Sequence, residues 1–381
     1  MKIYLCGSFD GPLTGQMQTL NGVYDSLKEN FKISKINFPY KDFLFPFKWV
    51  LFTFNLVYIL IFDKNKKVFY LLVHRTRISF WLRDFPVLSF SYITNSNLIC
   101  HLVGSDIEIF FNKLNLVEKF ILRKLYSKVD HWVVLGPVME NQLKNLYQKL
   151  DINKPCPCFS QGTLKATTVG GFFPIESDSL YDEKKIEKKI NNFGREIYIG
   201  YMSNLIEEKG IVEYIEAVIS LKEKTNISFK AWIGGITLGN ISPRLKNALV
   251  TANKKEYIEV CGLLKGDDKW NKLMSTNIFI LPSYYKSESL PLSLVEAMRF
   301  GSLCISSDVG EIKNLLSNER GIILEEVKTE NITNSIKKSS ENIEISKNMM
   351  RRSNSYISDE FSFDSFKSKI ENLVKNILVK G

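Results

Sequence analysis

Two segments of the chain place reactive side chain types at spacings that suit work on a nucleotide or a sugar. The first is LPSYYKSESLPLSLVEAMRFG, residues 281–301. Ser289 reads as a helix N-cap and Pro291 as a residue just inside the helix start, where its missing N–H costs nothing. Glu288 then sits in the loop before the helix and Glu296 about one and a half turns into it. A helix N-terminus offers free N–H groups and a positive dipole end, which suits a phosphate, while a carboxylate beside it accepts hydrogen bonds from sugar or ribose hydroxyls. The second segment is GYMSNLIEEKGIVEYIEA, residues 200–217, where a strand ends and Lys209-Gly210 precede a new helix. A lysine at such a turn is placed to neutralise a diphosphate. Taken singly, two glutamates eight apart and one lysine at a turn are also what a solvated surface contains.

The three histidines are open to two readings each. His101 ends an apolar strand just before Gly104-Ser105-Asp106, so it either faces a cleft or belongs to the core. His74 ends another strand beside Arg75 and Arg77, a place for an acceptor phosphate or for an ordinary surface cluster. His131 starts a strand and reads as structural. The loop Gly11-Pro12-Leu13-Thr14-Gly15 after the first strand is a weak phosphate motif on its own. Asp106-Ile107-Glu108 is the nearest approach to an acidic metal motif, and helix capping explains it more simply. Cys156-Pro157-Cys158 has no second cysteine pair to complete a zinc site. Cys6, Cys100, Cys261 and Cys304 lie in apolar runs, where cysteine acts as a small hydrophobe. No metal or cofactor is expected.

The elements that must hold these residues follow from patterning. The chain has 381 residues, 45% hydrophobic and 24% charged, the composition of a globular protein of two or three domains. Almost wholly apolar strands are expected at 2–6, 33–37, 68–73, 98–103 and 131–135, with helical periods between them, among them 16–29, 107–128 and 137–149. A second series starts at 197 and continues near 228–233, 257–261, 277–281, 303–306 and 321–324. Apolar strands alternating with helices imply parallel sheets covered on both faces. The expected architecture is therefore α/β, with two doubly wound Rossmann-like domains facing a cleft. The domains are expected over 1–165 and 196–361, with a C-terminal helix at 362–381. Residues 166–195, rich in Pro, Gly, Ser and charge, read as the linker.

The net charge of +10 is uneven, with 19 Lys and Arg against 11 Asp and Glu in residues 1–150. A basic first half implies an anionic partner. Nucleic acid is set aside because no local recognition motif accompanies the charge. Residues 43–62 are apolar over about 20 positions, but Pro46, Lys48, Thr53 and Asn55 interrupt them. That pattern favours a buried or membrane-surface helix over a span. Lys41, Lys48, Lys64, Lys66 and Lys67 at its ends suit a headgroup boundary, and the basic stripe of 107–128 is either a solvated face or a membrane-facing one. The first residues read as a strand and not as a signal peptide, so the cytoplasm is the expected compartment.

Together the two reactive segments, in this order, resemble the retaining glycosyltransferases of family 4, of the bacterial polysaccharide-synthesis type, which have the GT-B fold. Glu288 and Glu296 match the family's Glu-x7-Glu motif. Ser203-Asn204-Leu205 followed by Lys209-Gly210 match its Gly-Arg-Leu and Lys-Gly turn. Gly234-Gly235, Gly262, and Gly301 followed by LCISSDVGEI agree as well. The resemblance is close over 197–325 and weaker over 1–160, and it implies that 1–165 binds the acceptor with the 362–381 helix packing back on it, while 196–361 binds the nucleotide-sugar. It implies a metal-independent hexosyltransferase that moves a sugar from a nucleotide donor, most often a UDP-sugar, to a glycan or lipid-linked acceptor at the inner face of the cell membrane. By resemblance Glu288, Lys209 and His101 are catalytic. Glu296 binds the ribose, and Asn204, Ser289, Leu290, Leu292, Gly15 and Gly234 complete the donor site; His74 and Arg75 face the acceptor. One departure stands out: Asn204 occupies the place that the family fills with Arg, so one donor-binding cation is missing. A nucleotide-sugar epimerase or hydrolase of the same fold, or a non-catalytic scaffold, are the alternatives.

Overall fold

A computed structural model describes residues 2–9, 15–38, 45–63, 67–152, 158–160, 163–172, 181–237 and 239–380. Gly11 to Thr14, Lys41, Lys64, Lys66, Cys156 and Pro157, to which the sequence pointed, lie outside them. The chain divides into two units, residues 1–172 with 363–381, and residues 173–362.

The first unit is built on a six-stranded sheet ordered β2-β1-β3-β4-β5-β8. Its strands are β1 (Lys2–Gly7), β2 (Ile33–Asn37), β3 (Lys67–Leu72), β4 (Asn97–His101), β5 (His131–Val134) and β8 (Ala166–Thr168), and every pairing is parallel. A short antiparallel hairpin, β6 (Phe159–Ser160) and β7 (Thr163–Leu164), precedes β8. The stretch read as linker from 166 onward thus begins by completing this sheet. Ala-Thr-Thr, one small and two polar residues, gave no apolar run to read as a strand, and their pairing with Trp132–Val134 is what fixes them. Ile3, Leu5, Val68, Tyr70, Ile99 and Val133 form the core under the helix Gly15–Leu27, and the helix Phe363–Lys380 adds Phe366, Ile370, Leu373 and Val374 to it.

The helical period over 107–128 is two helices, Ile107–Asn112 and Leu116–Tyr126. Asn115 stops the first and starts the second through a capping box with Glu118, in which each side chain bonds the other's backbone N–H. The apolar segment does form a helix, Phe45–Phe62, and among the described residues no helix is long and apolar enough to cross a membrane.

The second unit carries a parallel sheet ordered β11-β10-β9-β12-β13-β14. Its strands are β9 (Ile197–Met202), β10 (Phe229–Gly234), β11 (Ile258–Gly262), β12 (Ile278–Leu281), β13 (Leu303–Ser307) and β14 (Ile322–Leu324). The central β12 and β13 are buried throughout, as apolar runs covered on both faces must be. The charge run expected as linker is instead the helix Glu183–Asn191, capped by Asp182, with Ile186 and Ile190 buried. Two apolar residues four apart were enough to seat an otherwise charged helix.

The strand order of the second sheet reverses between β9 and β12. Open α/β sheets bind ligands outside the carboxyl ends of strands at such a point, where neighbouring connections leave to opposite faces and open a crevice. The segment with Lys209 follows β9, and the segment with Glu288 follows β12.

Candidate active site

Three contacts bring the two segments together. Lys209 ends a short helical turn, Glu207–Lys209, and Gly210 after it adopts φ +72°. A Cβ at Gly210 would overlap the carbonyl of Pro282 at the end of β12, so the turn can approach β12 this closely only with glycine. The Tyr284 N–H then donates to the Glu208 carbonyl at 2.8 Å, and within the turn's own segment the buried Tyr201 hydroxyl donates to the Lys209 carbonyl at 3.2 Å. The result is an ion pair: Lys209 Nζ lies 2.6 Å from Glu288 Oε2.

Both partners of that pair are largely withdrawn from water, and the Ser283 hydroxyl donates to the same carboxylate oxygen at 2.8 Å. The Lys209 ammonium also stands 4.9 Å from the centre of the Tyr285 ring. A buried, charge-assisted hydrogen bond of this length is among the stronger polar contacts a protein makes. Gly310, at φ +54°, packs on the carbonyls of Glu288 and Ser289, and the Glu311 N–H donates to the Ser289 carbonyl at 2.8 Å. The loop after β13 therefore holds the Glu288 loop from the other side.

The helix of the second glutamate runs Leu292–Arg299. Its N-cap is Pro291, not the expected Ser289: the Leu294 and Val295 N–H groups donate to the Pro291 carbonyl, while the Ser289 carbonyl accepts from the Glu311 N–H. Leu292 and Ser293 are its first two residues, so their N–H groups have no intrahelical acceptor. Leu290 is buried and Ser289 half-buried beside them. Glu296, four residues into the helix, is buried and pairs with Lys269 Nζ at 2.6 Å. Burial pushes its carboxyl above the usual range, and the Lys269 charge pulls it back down. Lys269 comes from the helix Gly266–Ser275, and its ammonium lies 4.1 Å from the Trp270 ring centre.

The remaining residues named from sequence fall as follows. Asn204 is exposed on the turn after β9, and its carbonyl accepts from the Ile206 N–H at 2.9 Å. Gly234 ends β10 and is bonded through its carbonyl to the Ser203 N–H at 3.2 Å, next to Gly235 at φ +135°. Gly15 is exposed at the start of its helix in the first unit.

His101 is a core histidine rather than a cleft-facing one. It has no exposed surface, its Nδ1 meets the Tyr70 hydroxyl at 2.8 Å, and burial alone pushes its pKa down to about 3. His74 is held by the fully buried Asp84, which accepts from its Nδ1 side at 2.8 Å and from its backbone N–H at 2.7 Å. Arg83 Nη1 lies 3.3 Å from His74 Nε2. Arg75 lies across Gly104 and bonds Asp106, so Asp106 acts as an ion-pair partner and not as the expected side-chain cap. His131 bonds Thr167 across the β5–β8 pair at 2.8 Å, the structural role expected of it. Cys6, Cys100, Cys158 and Cys304 are buried, while Cys261 is partly exposed at the end of β11.

Sequence reasoning missed Lys269 and Ser283. Lys269 is 27 positions from Glu296 on a different helix, inside an ordinary charged run, GDDK. The helix after β11, an edge strand, must cross back over β10 and β9 to reach β12, and only that crossover brings it beside the helix after β12.

Residues 182–355 match the family described as "Glycosyl transferases group 1". A putative teichuronic acid biosynthesis glycosyltransferase, TuaC of Bacillus subtilis strain 168, is 29% identical over 124 residues, 32% of this chain and 28% of that protein. An uncharacterized glycosyltransferase of Methanocaldococcus jannaschii is 24% identical over 281 residues, 70% of this chain and 64% of its own length. The matched stretches thus span less than two thirds of these relatives. Anabaena HepE, whose structure holds UDP, superposes with a TM-score of 0.69 at 13% identity, covering 99% of this chain and 100% of that one, which establishes the shared fold.

Proposed function

We propose that the chain, which has the GT-B fold and matches a glycosyltransferase family over 182–355, is a family 4-like glycosyltransferase that moves a sugar from a nucleotide-sugar donor to a glycan or lipid-linked glycan acceptor. The observation that carries this reading is the pairing of Lys209 with Glu288 at the point where the second sheet reverses, with Glu296 buried one helix away. A family model over the same residues supports it, as do relatives whose names refer to polysaccharide assembly.

In this reading Glu296 takes the ribose hydroxyls, exchanging its bond to Lys269 for bonds to the nucleoside. Lys209 and the N–H groups of Leu292 and Ser293 face the diphosphate, and Glu288 lies by the transferred sugar. The bond from the anomeric carbon to the diphosphate oxygen breaks, the acceptor oxygen bonds the same face of that carbon, and the acceptor proton passes to the departing phosphate. The anomeric configuration is retained. Negative charge grows on the leaving group, so a fixed ammonium and a helix end that needs no reorganisation lower the barrier. The chemistry can proceed in this way with no metal. A uridine donor is favoured because the fold neighbour HepE holds UDP or UDP-glucose. Action at the cytoplasmic face of a membrane, on an anionic lipid-linked acceptor, belongs to the same proposal.

Calorimetric titration with UDP, GDP and ADP tests the donor half. One nucleotide should bind, and Glu296→Ala should weaken it about tenfold or more, the loss of a charged hydrogen-bond partner. Binding that Glu296→Ala leaves untouched removes the ribose role. No binding of any of the three at millimolar concentration sinks the transferase reading. The exposed Asn204, with no cation in its place, then favours a non-catalytic scaffold.

A further inference from the structure

The first unit exposes apolar side chains that its own fold leaves uncovered. The helix Phe45–Phe62 buries Phe52, Leu56 and Ile59 against the unit, yet its opposite side presents Phe47, Val50, Leu51, Phe54 and Tyr58. Phe47 is 64% exposed and Phe54 is 68% exposed. From Phe47 to Ile59 the only charge is Lys48. A helix apolar on all sides belongs inside a core or a bilayer, because a water-facing helix carries a polar face. Scattered single hydrophobes on a surface need no account, but a whole helix face does.

Two neighbouring segments carry the same feature. Ile78 is 72% exposed, and at the start of the helix Leu116–Tyr126 Leu116 is 85% exposed, followed by Val117 and Phe120. Hydrogen bonds tie the three segments to one another. Trp49 Nε1 donates to the Leu82 carbonyl at 2.7 Å, and Arg77 and Trp81 both donate to Glu118 Oε1, at 2.6 and 2.9 Å. Each exposed residue named, apart from Tyr58, lies within about five positions of one of these links. Cations stand next to the apolar residues. Lys119 Nζ is 4.7 Å from the Phe111 ring centre, and Lys124 Nζ is 4.7 Å from that of Phe120. Lys113 and Lys128 lie nearby in sequence, and the one acid of the helix, Glu118, is buried against Arg77 and Trp81.

We propose that Phe47, Leu51, Phe54, Ile78, Leu116 and Phe120 insert into the acyl boundary of an anionic lipid bilayer, with Lys119 and Lys124 at its phosphates. Aromatic and aliphatic side chains rimmed by ammonium groups match an interface whose depth is apolar and whose surface is negative. A second copy of the chain fits less well, since a self-complementary contact would set these lysines against one another. The inference deepens the membrane partner of the proposed function and stands on the first unit alone, so it does not depend on the donor site.

The test is co-sedimentation of the full chain with phosphatidylcholine vesicles, with and without about one third phosphatidylglycerol. The chain should pellet with the anionic vesicles and be released by high salt. The pair Phe54→Asp with Leu116→Asp should lower the bound fraction about tenfold or more, since exposed positions can change without unfolding the unit. Lys119→Glu with Lys124→Glu should abolish the preference for phosphatidylglycerol. A far-ultraviolet circular dichroism melt that keeps the wild-type transitions shows that each variant is folded. The proposal is overturned if the wild-type chain stays in the supernatant, or if the aspartate pair binds as well as wild type. It is equally overturned if light scattering finds a dimer that the aspartate pair dissociates, because a second copy then covers this face. A nucleotide titration that fails while vesicles bind removes the transferase reading and leaves this one standing.

Discussion

Each glutamate of the site is held by a lysine, and the two pairs differ in what their loss should do. Lys269 and Glu296 are largely buried, with Lys269 only 20% exposed, and removing one partner leaves the other charge stranded. Lys269→Met should cost roughly 3 kcal/mol in denaturant unfolding of the second unit, and Lys269→Met with Glu296→Gln should recover most of that. A double variant no more stable than the single one would show that the pair is not coupled. Lys209→Met strands the equally buried Glu288 and should cost similar stability, but it should act on the reaction as well: if its ammonium meets growing charge on the leaving group, kcat/KM of the folded fraction falls about a hundredfold with little change in acceptor KM. A purely structural lysine would lower the melting temperature and leave the turnover of the folded fraction intact.

His101 gives a residue-scale prediction of the opposite sign to its expected role. Its pKa is lowered to about 3 in the folded unit by burial, against about 6.5 in the unfolded chain. The unfolded state therefore binds a proton that the folded state refuses, and stability falls as pH drops below about 6.5 toward 3. At pH about 5.5 the loss should be about 1.4 kcal/mol relative to pH about 7.5. The measurement is urea unfolding of the first unit at both values. His101→Gln should remove this increment, and an unchanged slope in that variant would show that other groups carry it. The sequence put His101 at the right strand end but could not say which way its ring points, because a strand's two faces look alike when both are covered.

At the scale of elements, the apolar strands were legible because each is a short, nearly unbroken run, and β9, β10, β12 and β13 lie where those runs predict. What escaped notice has a physical cause in each case. The Ala166–Thr168 strand is fixed by its neighbour and not by its composition, the Glu183–Asn191 helix by a stripe of two isoleucines under a charged surface, and the break at Asn115 by a single cap. The site was legible in its glutamates and in Lys209, which lie within two local segments. Lys269 enters only through the crossover from β11 back to β12, whereas Ser283 lies in the same local segment as Glu288 and only the folded loop shows its hydroxyl reaching that carboxylate. The turn at Gly210 tests how tightly the element geometry is drawn. Gly210→Ala adds left-handed backbone strain and an overlap with the Pro282 carbonyl, whereas Gly262→Ala at φ +67° has nothing within 4 Å of the new Cβ. The first should cost about 3 kcal/mol or more and weaken nucleotide binding, the second about 1 kcal/mol with binding intact. Equal losses in thermal unfolding would mean that the approach of this turn to β12 is looser than described.

At the scale of the molecule, the chain returns to its first unit after completing its second. The helix Phe363–Lys380 buries Phe366, Ile370, Leu373 and Val374 in the core that Ile3, Leu20 and Val68 also build, and Lys367 pairs with Glu29 at 2.8 Å. The exposed ion pair adds little, since solvent screens it. The four side chains matter more, at roughly 1.5–3 kcal/mol each, which together rivals the whole stability of a domain of this size. Deleting residues 363–381 should therefore unfold the first unit while the second, whose sheet receives no strand from this segment, still melts cooperatively and still titrates with nucleotide. Two transitions in the wild-type calorimetric trace should become one. If instead both units unfold together in the truncated chain, their stabilities are coupled, and the C-terminal helix serves the molecule as a whole and not the first core alone.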